Sequence, residues 1–485
     1  MKLRTLLALI ACSCLTPRAA HDAPPLPLTG QRVVRISTEP QLQTAVNNLR
    51  QGDTLLLAPG LYSLTASLYI NGRHQVTIRG ESGRTNVVLR GKGMDNAAHG
   101  GVPHGIWSNS SNTTIAHLTI RETYDNPIIF NSGAQAPLIY SVALIDAGSQ
   151  FIKSNPTDIA EGRGVNDGRV ERCWFEYTGR PPSDHGAGAG YFNGISAHAA
   201  RNWVVRGNTF KNLHNPDGTP YPWNPAVLFW RNSSHTVTEQ NTFINVDRAI
   251  AYGLDDSTTF HDHSGGAIRN NFIYLEPGFF SAARRASADG AIVVWNSPGT
   301  EVDHNTVITS QNTAASIEFR FRRTTNVVAR NNLTDAPIRI RDQAQPAQSG
   351  NLVNAQPSLF VDPTQGDLHL KSGAASAIDR ATPLTTITND IDGELRPAET
   401  PDLGADEFTA RIPPLIRRLT LEDGEARLLF DTQATPAYEV ETAESLTGAW
   451  QIASPLLPGT GGQYDYLASE PATDPRRFYR LRLWP

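Results

Sequence analysis

Lys153, His198 and Arg320 are residues of the kinds that move protons and hold negative charge, and they fall into one pattern with Trp230 and Trp295. A lysine becomes a base once burial or a nearby cation lowers its pKa. An imidazole exchanges a proton near neutrality, and a guanidinium can neutralise a carboxylate. A recurring asparagine sets their spacing. The triplets Asn208-Thr209-Phe210, Asn241-Thr242-Phe243, Asn270-Asn271-Phe272, Asn305-Thr306-Val307 and Asn331-Asn332-Leu333 recur at intervals of 33, 29, 35 and 26 residues. His198 stands ten residues before Asn208, Trp230 eleven before Asn241, Trp295 ten before Asn305 and Arg320 eleven before Asn331. Lys153, in Gln150-Phe151-Ile152-Lys153, reads as the equivalent residue one repeat earlier.

Side chains alternate along a strand, so a phase that turns Ile195 and Ala197 inward turns Ser196 and His198 outward. The same phase sends out Trp230, Trp295, Glu318 and Arg320. A row of aromatic and charged groups on the outside of a sheet has the character of a binding face. Trp230 and Trp295 would offer apolar platforms to sugar rings, and Lys153, Arg320 and Arg322 would bind acidic groups. The chemistry that suits this set is β-elimination in a uronate polymer, which needs a neutralised carboxylate, a base for the adjacent C–H and an acid for the leaving oxygen. Lys153 is the first candidate base, His198 the second base or the acid, and Arg320 the neutralising cation. An epimerase would use nearly the same residues. A glycoside hydrolase would need two facing carboxylates, for which Glu318 has only Asp184 as a partner. A non-catalytic glycan-binding or adhesion protein would use the same face without the chemistry. Two loop clusters adjoin it: Asp184-His185 in a Gly-rich insertion, and His261-Asp262-His263, read as substrate contacts, a metal site or a solvated turn. In each reading the expected partner is an acidic polysaccharide.

These residues need a scaffold that repeats. From about residue 150 to 341 a polar loop, an alternating apolar strand and the Asn triplet recur at roughly thirty residues, the mark of stacked units. Upstream, residues 39–49 carry apolar positions at Leu42, Ala45, Val46 and Leu49, the spacing of one amphipathic helix. Gly52-Asp53-Thr54-Leu55-Leu56-Leu57-Ala58-Pro59-Gly60-Leu61-Tyr62, Val76-Thr77-Ile78-Arg79-Gly80 and Thr114 to Ile120 follow as buried strands. This entry resembles that of secreted bacterial right-handed parallel β-helix proteins of the pectate-lyase-like superfold. The resemblance covers residues 33–408 and implies an all-β solenoid with the helix capping its open end. It implies no single reaction, because such folds host lyases, hydrolases, esterases, epimerases and adhesins. The repeated Asn residues are expected to be scaffold, holding left-handed turns and bonding their counterparts one rung away.

Phe151-Ile152-Lys153-Ser154-Asn155 is faintly similar to the lysine-base strand of the chondroitinase-B and alginate-lyase group. That group carries acidic Ca²⁺ ligands five and seven residues before its lysine. Here those positions are Gly148 and Asp146, so one ligand is missing and Ca²⁺ is only a possible cofactor. Residues 390–407 resemble a segment that closes bacterial β-helices, with Arg396 pairing with carboxylates or, alternatively, with Ca²⁺ held there.

Residues 415–485 read as a separate small β-sandwich, with Trp450 either core or a carbohydrate contact. Residues 1–20 read as an export signal, cleaved after Ala19-Ala20 or, as a lipoprotein signal, at Cys12. Cys173 is then the one cysteine outside the signal, expected in the core. A formal charge of −5 argues against a general nucleic-acid binder. No other segment is apolar enough to span a bilayer, and a monomer is expected.

Overall fold

The computed structural model describes residues 23–30, 32–179, 181, 192–216, 218–222, 225–409, 416–422, 425–433, 437–445, 450–468 and 477–484. The chain divides into two compact units, one ending at Phe408 and the other containing residues 409–485. The first is a parallel β-helix. Each coil gives one strand to each of three sheets: a first sheet of twelve strands, from Arg32–Ile36 to Pro346–Ser349, a second of ten, from Gly60–Ser63 to Leu333–Thr334, and a third of ten, from Leu68–Ile70 to Ile338–Arg341.

Alternation decides which side chains fill the coil. On the third sheet Ile152, Ile195, Ala197, Val227, Phe229, Ile250, Tyr252, Ile292, Val294, Ile317 and Phe319 point inward and are buried. On the second, Phe175, Phe210 and Phe243 stack with centroids 4.4 and 4.8 Å apart and planes within 14° and 5° of parallel. Such offset or parallel ring stacks add to the area they bury.

The turn from first to second sheet explains the repeat. Gly207, Gln240, Asn270, His304 and Asn331 all have left-handed backbone, with φ from 50° to 65°. The residue after each is an asparagine whose side chain bonds the next rung: Asn208 to Asn241 at 2.9 Å, Asn241 to Asn271 at 3.0 Å, Asn271 to Asn305 at 2.9 Å, Asn305 to Asn332 at 3.0 Å and Asn332 to Asn351 at 2.9 Å. The ladder therefore runs through Asn271 and Asn332, one residue after the Asn270 and Asn331 of the sequence alignment. Each ladder amide also donates to a main-chain carbonyl, as Asn241 does to Val205 at 2.9 Å, so main-chain groups at a buried corner are satisfied. Cys173 takes the ladder place one rung before Asn208, its N–H donating to Asn208 Oδ1 at 2.8 Å. Its thiol is buried, which raises its pKa to about 12 and keeps it unreactive.

The helix Glu39–Asn47 is N-capped by Thr38, with Pro40 in its first turn, and buries Leu42 and Val46 against the first coil. It stops two residues before the expected end. At the other end, the hairpin of Phe360–Asp362 and Asp367–Leu370 joins a cluster with the outward Phe272, Tyr274 and Ile308 of the second sheet. Arg396 is buried there, with an ion pair to Glu407 at 3.2 Å and donations to the carbonyls of Gly404 and Ala405 at 2.9 and 3.0 Å. In the same region His369 donates to Asp392 and Asp367, and these carboxylates raise its pKa well above the ordinary value despite burial.

The second unit holds two three-stranded antiparallel sheets around Ala426, Leu428, Phe430, Tyr438, Val440 and Leu481. Trp450 lies under the Arg480 guanidinium, 4.3 Å from the ring centre. Among the described residues no helix is long and apolar enough to cross a membrane.

Candidate functional site

The outward face of the third sheet carries two parallel columns. One runs Tyr69, Trp107, Ile129, Lys153, Ser196, Leu228, Ala251, Val293, Glu318 and Arg339 in direct register. The other includes His198 beside Trp230, and Trp295 beside Arg320 and Arg341. Lys153 thus pairs with Ser196 rather than with His198, two residues from its expected register. Because the period is two, the side chain keeps its outward direction.

Lys153 and His198 meet across the diagonal. Lys153 Nζ lies 3.1 Å from His198 Nε2 and donates to Ser196 Oγ at 3.3 Å. Only 7% of Lys153 is exposed, and burial together with the charge of Arg231 lowers its pKa to about 8. Burial, Lys153 and Arg231 lower His198 to about 3. Burial therefore favours the neutral imidazole near pH 7, whose Nε2 is placed to accept from the Lys153 amine.

Arg231 was not visible in the alternating pattern. The strand Val227–Trp230 ends in left-handed backbone at Arg231 and Asn232, with φ of 51° and 70°. That breaks the alternation, so Arg231 follows Trp230 onto the same side, its guanidinium 4.7 Å from the Trp230 ring centre. The conformation is held by buried Asp262, which accepts from the N–H groups of Arg231 at 2.7 Å, Leu254 at 2.6 Å and Asp255 at 2.8 Å. Trp230 in turn meets His198 edge-on at 4.9 Å. Lys153, His198, Trp230 and Arg231 form one cluster, with Leu228, Ala251 and Val293 as an apolar floor leading to Trp295.

Other expected members are elsewhere. Glu318 and Arg320 are five rungs from Lys153, about 24 Å at the usual strand spacing. Arg320 cannot share a reacting bond with Lys153. It is ion-paired to Asp342 at 2.5 Å and lies over Trp295 and Phe321, 4.9 and 4.5 Å from their ring centres. Glu318 is fully buried, accepting from Arg339 Nε at 2.6 Å with Arg341 at 3.5 Å, so it is a structural anion and not a groove carboxylate. Arg322 is exposed. His263 is removed from the substrate set: it is fully buried, bonded to Thr236 and Ser297 at 2.9 Å each and packed on Tyr252. With Asp262 committed to N–H groups, His261-Asp262-His263 is not a metal cluster. Asp184 and His185 lie outside the described residues.

The Ca²⁺ comparison also fails on geometry. Asp146 accepts from Thr178 N–H at 2.8 Å and from Thr178 Oγ1 at 2.7 Å, while Gly148 offers no side-chain oxygen. The residues present do not fit a Ca²⁺ site there.

No family model and no curated protein matches the chain. Solved structures do. An alginate lyase from Paenibacillus sp. str. FPU-7 is 16% identical over 67% of this chain and 99% of its own, with a TM-score of 0.38. Pectate lyase Pel9A is 11% identical over 78% and 97%, with a TM-score of 0.43. PfbA, a surface adhesin of Streptococcus pneumoniae, is 11% identical over 64% and 90%, with a TM-score of 0.33. At these identities the likeness concerns the fold alone. The three parallel sheets establish the parallel β-helix expected from the sequence.

Proposed function

We propose that this is an exported lyase that cleaves an acidic, uronate-containing polysaccharide by β-elimination at Lys153. The observation that carries the reading is a buried lysine with a lowered pKa, bonded to a neutral histidine beside an exposed arginine and a tryptophan. Arg231 neutralises the substrate carboxylate and so acidifies the adjacent C–H. Lys153 Nζ, in its neutral form, takes that proton, the C–H electron pair becomes the ring double bond, and the glycosidic C–O bond breaks. The leaving oxygen takes a proton from solvent. His198 Nε2 orients the amine and accepts from it, and Trp230 supports a sugar face. Arg320 and Arg322 bind the same chain farther along, whereas Trp295, expected as a sugar platform, is buried under Arg320 and Phe321 and serves as part of the floor. The mechanism assigns no step to a metal.

A hydrolase would need a carboxylate pair, and Glu318 is withdrawn into ion pairs with Arg339 and Arg341. The test is incubation with alginate, pectate, chondroitin and heparin-like polymers. Ultraviolet absorbance from unsaturated ends that disappears in Lys153→Ala supports the reading. Reducing ends without absorbance, or uronate epimers without cleavage, would replace it with hydrolysis or epimerisation. Retention on an acidic polymer without any product would make it a binding protein.

A further inference from the structure

The column that holds Lys153 continues past it toward the first coils, through Ile129 to Trp107 and Tyr69. The coil interior here is filled by Leu68, Ile70, Ile106, Ile128 and Phe130, so the two aromatic rings belong to the outer face. Tyr69 is 49% exposed, and its ring centre is 5.8 Å from that of Trp107 with the planes at 51°. Together they make an open, V-shaped apolar surface.

Beside it is a polar edge. Asn109 Nδ2 donates to Asn71 Oδ1 at 2.8 Å, and Asn109 Oδ1 accepts from Gly72 N–H at 2.8 Å. These bonds fix both amides and use Asn109 in both directions, while the exposed Asn71 keeps its amide nitrogen without a partner among the described residues. An apolar ring surface with a fixed amide donor at its margin matches a pyranose, which presents a C–H face and a rim of hydroxyl oxygens. The recognition is uncharged, in contrast to the far end of the sheet with Arg320 and Arg322.

Trp107 is two rungs from Lys153, about 10 Å, and Tyr69 is three, about 14 Å. A sugar repeats at about the rung spacing, so a ring on this pair lies two to three sugars from the reacting bond. We infer that Tyr69, Trp107 and Asn71 form a distal subsite that holds one sugar of the polymer by its apolar face, on the side of Lys153 opposite Trp295. This rests on the glycan-lyase reading above. It adds that the enzyme selects for chain length at this end.

The experiment uses full-length protein and uronate oligomers from trimer to octamer, prepared from the polymer that the wild type attacks. Trp107→Ala lowers kcat/KM for the octamer about five- to tenfold more than for the trimer, and Trp107→Phe recovers most of the loss. Tyr69→Ala acts in the same direction. A Lys153→Ala background reads the same length dependence as Kd, without turnover. An equal loss at every length, or no loss for the octamer, overturns the subsite while leaving the lyase reading intact. If the wild type neither cleaves nor binds any uronate oligomer, both fall together.

Discussion

Replacing Lys153 with methionine should remove activity and at the same time remove a pH-dependent cost to folding. The side chain is nearly fully buried, and burial first, then Arg231, brings its pKa from 10.5 to about 8. In an unfolded chain the amine titrates near 10.4, so between pH 8 and 10.4 the unfolded state binds more protons and stability rises with pH. Below pH 8 both states are protonated and the full cost of the buried charge is present, about 3 kcal/mol from the size of the shift. The same shift raises the fraction of neutral amine at pH 7 about 300-fold over an ordinary lysine, which is the gain for catalysis. Methionine loses the bonds to His198 and Ser196, about 1 kcal/mol each, but relieves the charge. The difference in unfolding free energy, Lys153→Met minus wild type, should therefore favour the variant by about 1 kcal/mol at pH 7 and decline by about 3 kcal/mol as pH approaches 10.4. Denaturation of both proteins over that range isolates Lys153, because the other groups titrate alike. Parallel stability profiles in the two proteins would refute the buried-amine argument, and lyase activity in Lys153→Met would refute its role as the base.

Arg231→Gln should lower kcat/KM about 100-fold through loss of charge at the carboxylate. Because Arg231 helps to lower the Lys153 pKa, the limb on which the rate rises through pH 8 should also move to higher pH; an unmoved limb would separate the two groups. Arg320→Ala, far from Lys153, should raise KM for polymer while changing kcat by less than about twofold; an equal fall in kcat would place it at the reaction. Asn271→Ala removes the acceptor of the Asn241 N–H and the donor to the Thr238 carbonyl inside a closed corner, which should cost about 2–4 kcal/mol of stability by denaturant unfolding.

The fold was legible because it is periodic. The Asn triplets, the apolar alternation and the capping helix each repeat or punctuate a pattern that local physics dictates. The ladder register was less so: in Asn270-Asn271 and Asn331-Asn332 either residue fits the triplet, and only the left-handed φ of the first assigns the bonding role to the second. That slip did not turn Arg320 inward, because its face is set within its own strand by inward Ile317 and Phe319 rather than by its distance from the turn. The offset of Lys153 by two residues was harmless to its direction for the same reason.

The reaction centre, in contrast, depends on quantities that alternation does not contain. A shared face says nothing of distance along the solenoid, which is counted in rungs: His198 is one rung from Lys153, whereas Arg320 is five. A cation able to act with Lys153 must come from within about two rungs, as Arg231 does at the end of Val227–Trp230. Arg231 qualifies only because its left-handed backbone interrupts the strand rule, and Asp262 holds that conformation from the next coil. In a parallel β-helix, then, the strand pattern lays out where a chain can bind, while the irregular residue at a strand end decides where charge is concentrated for chemistry.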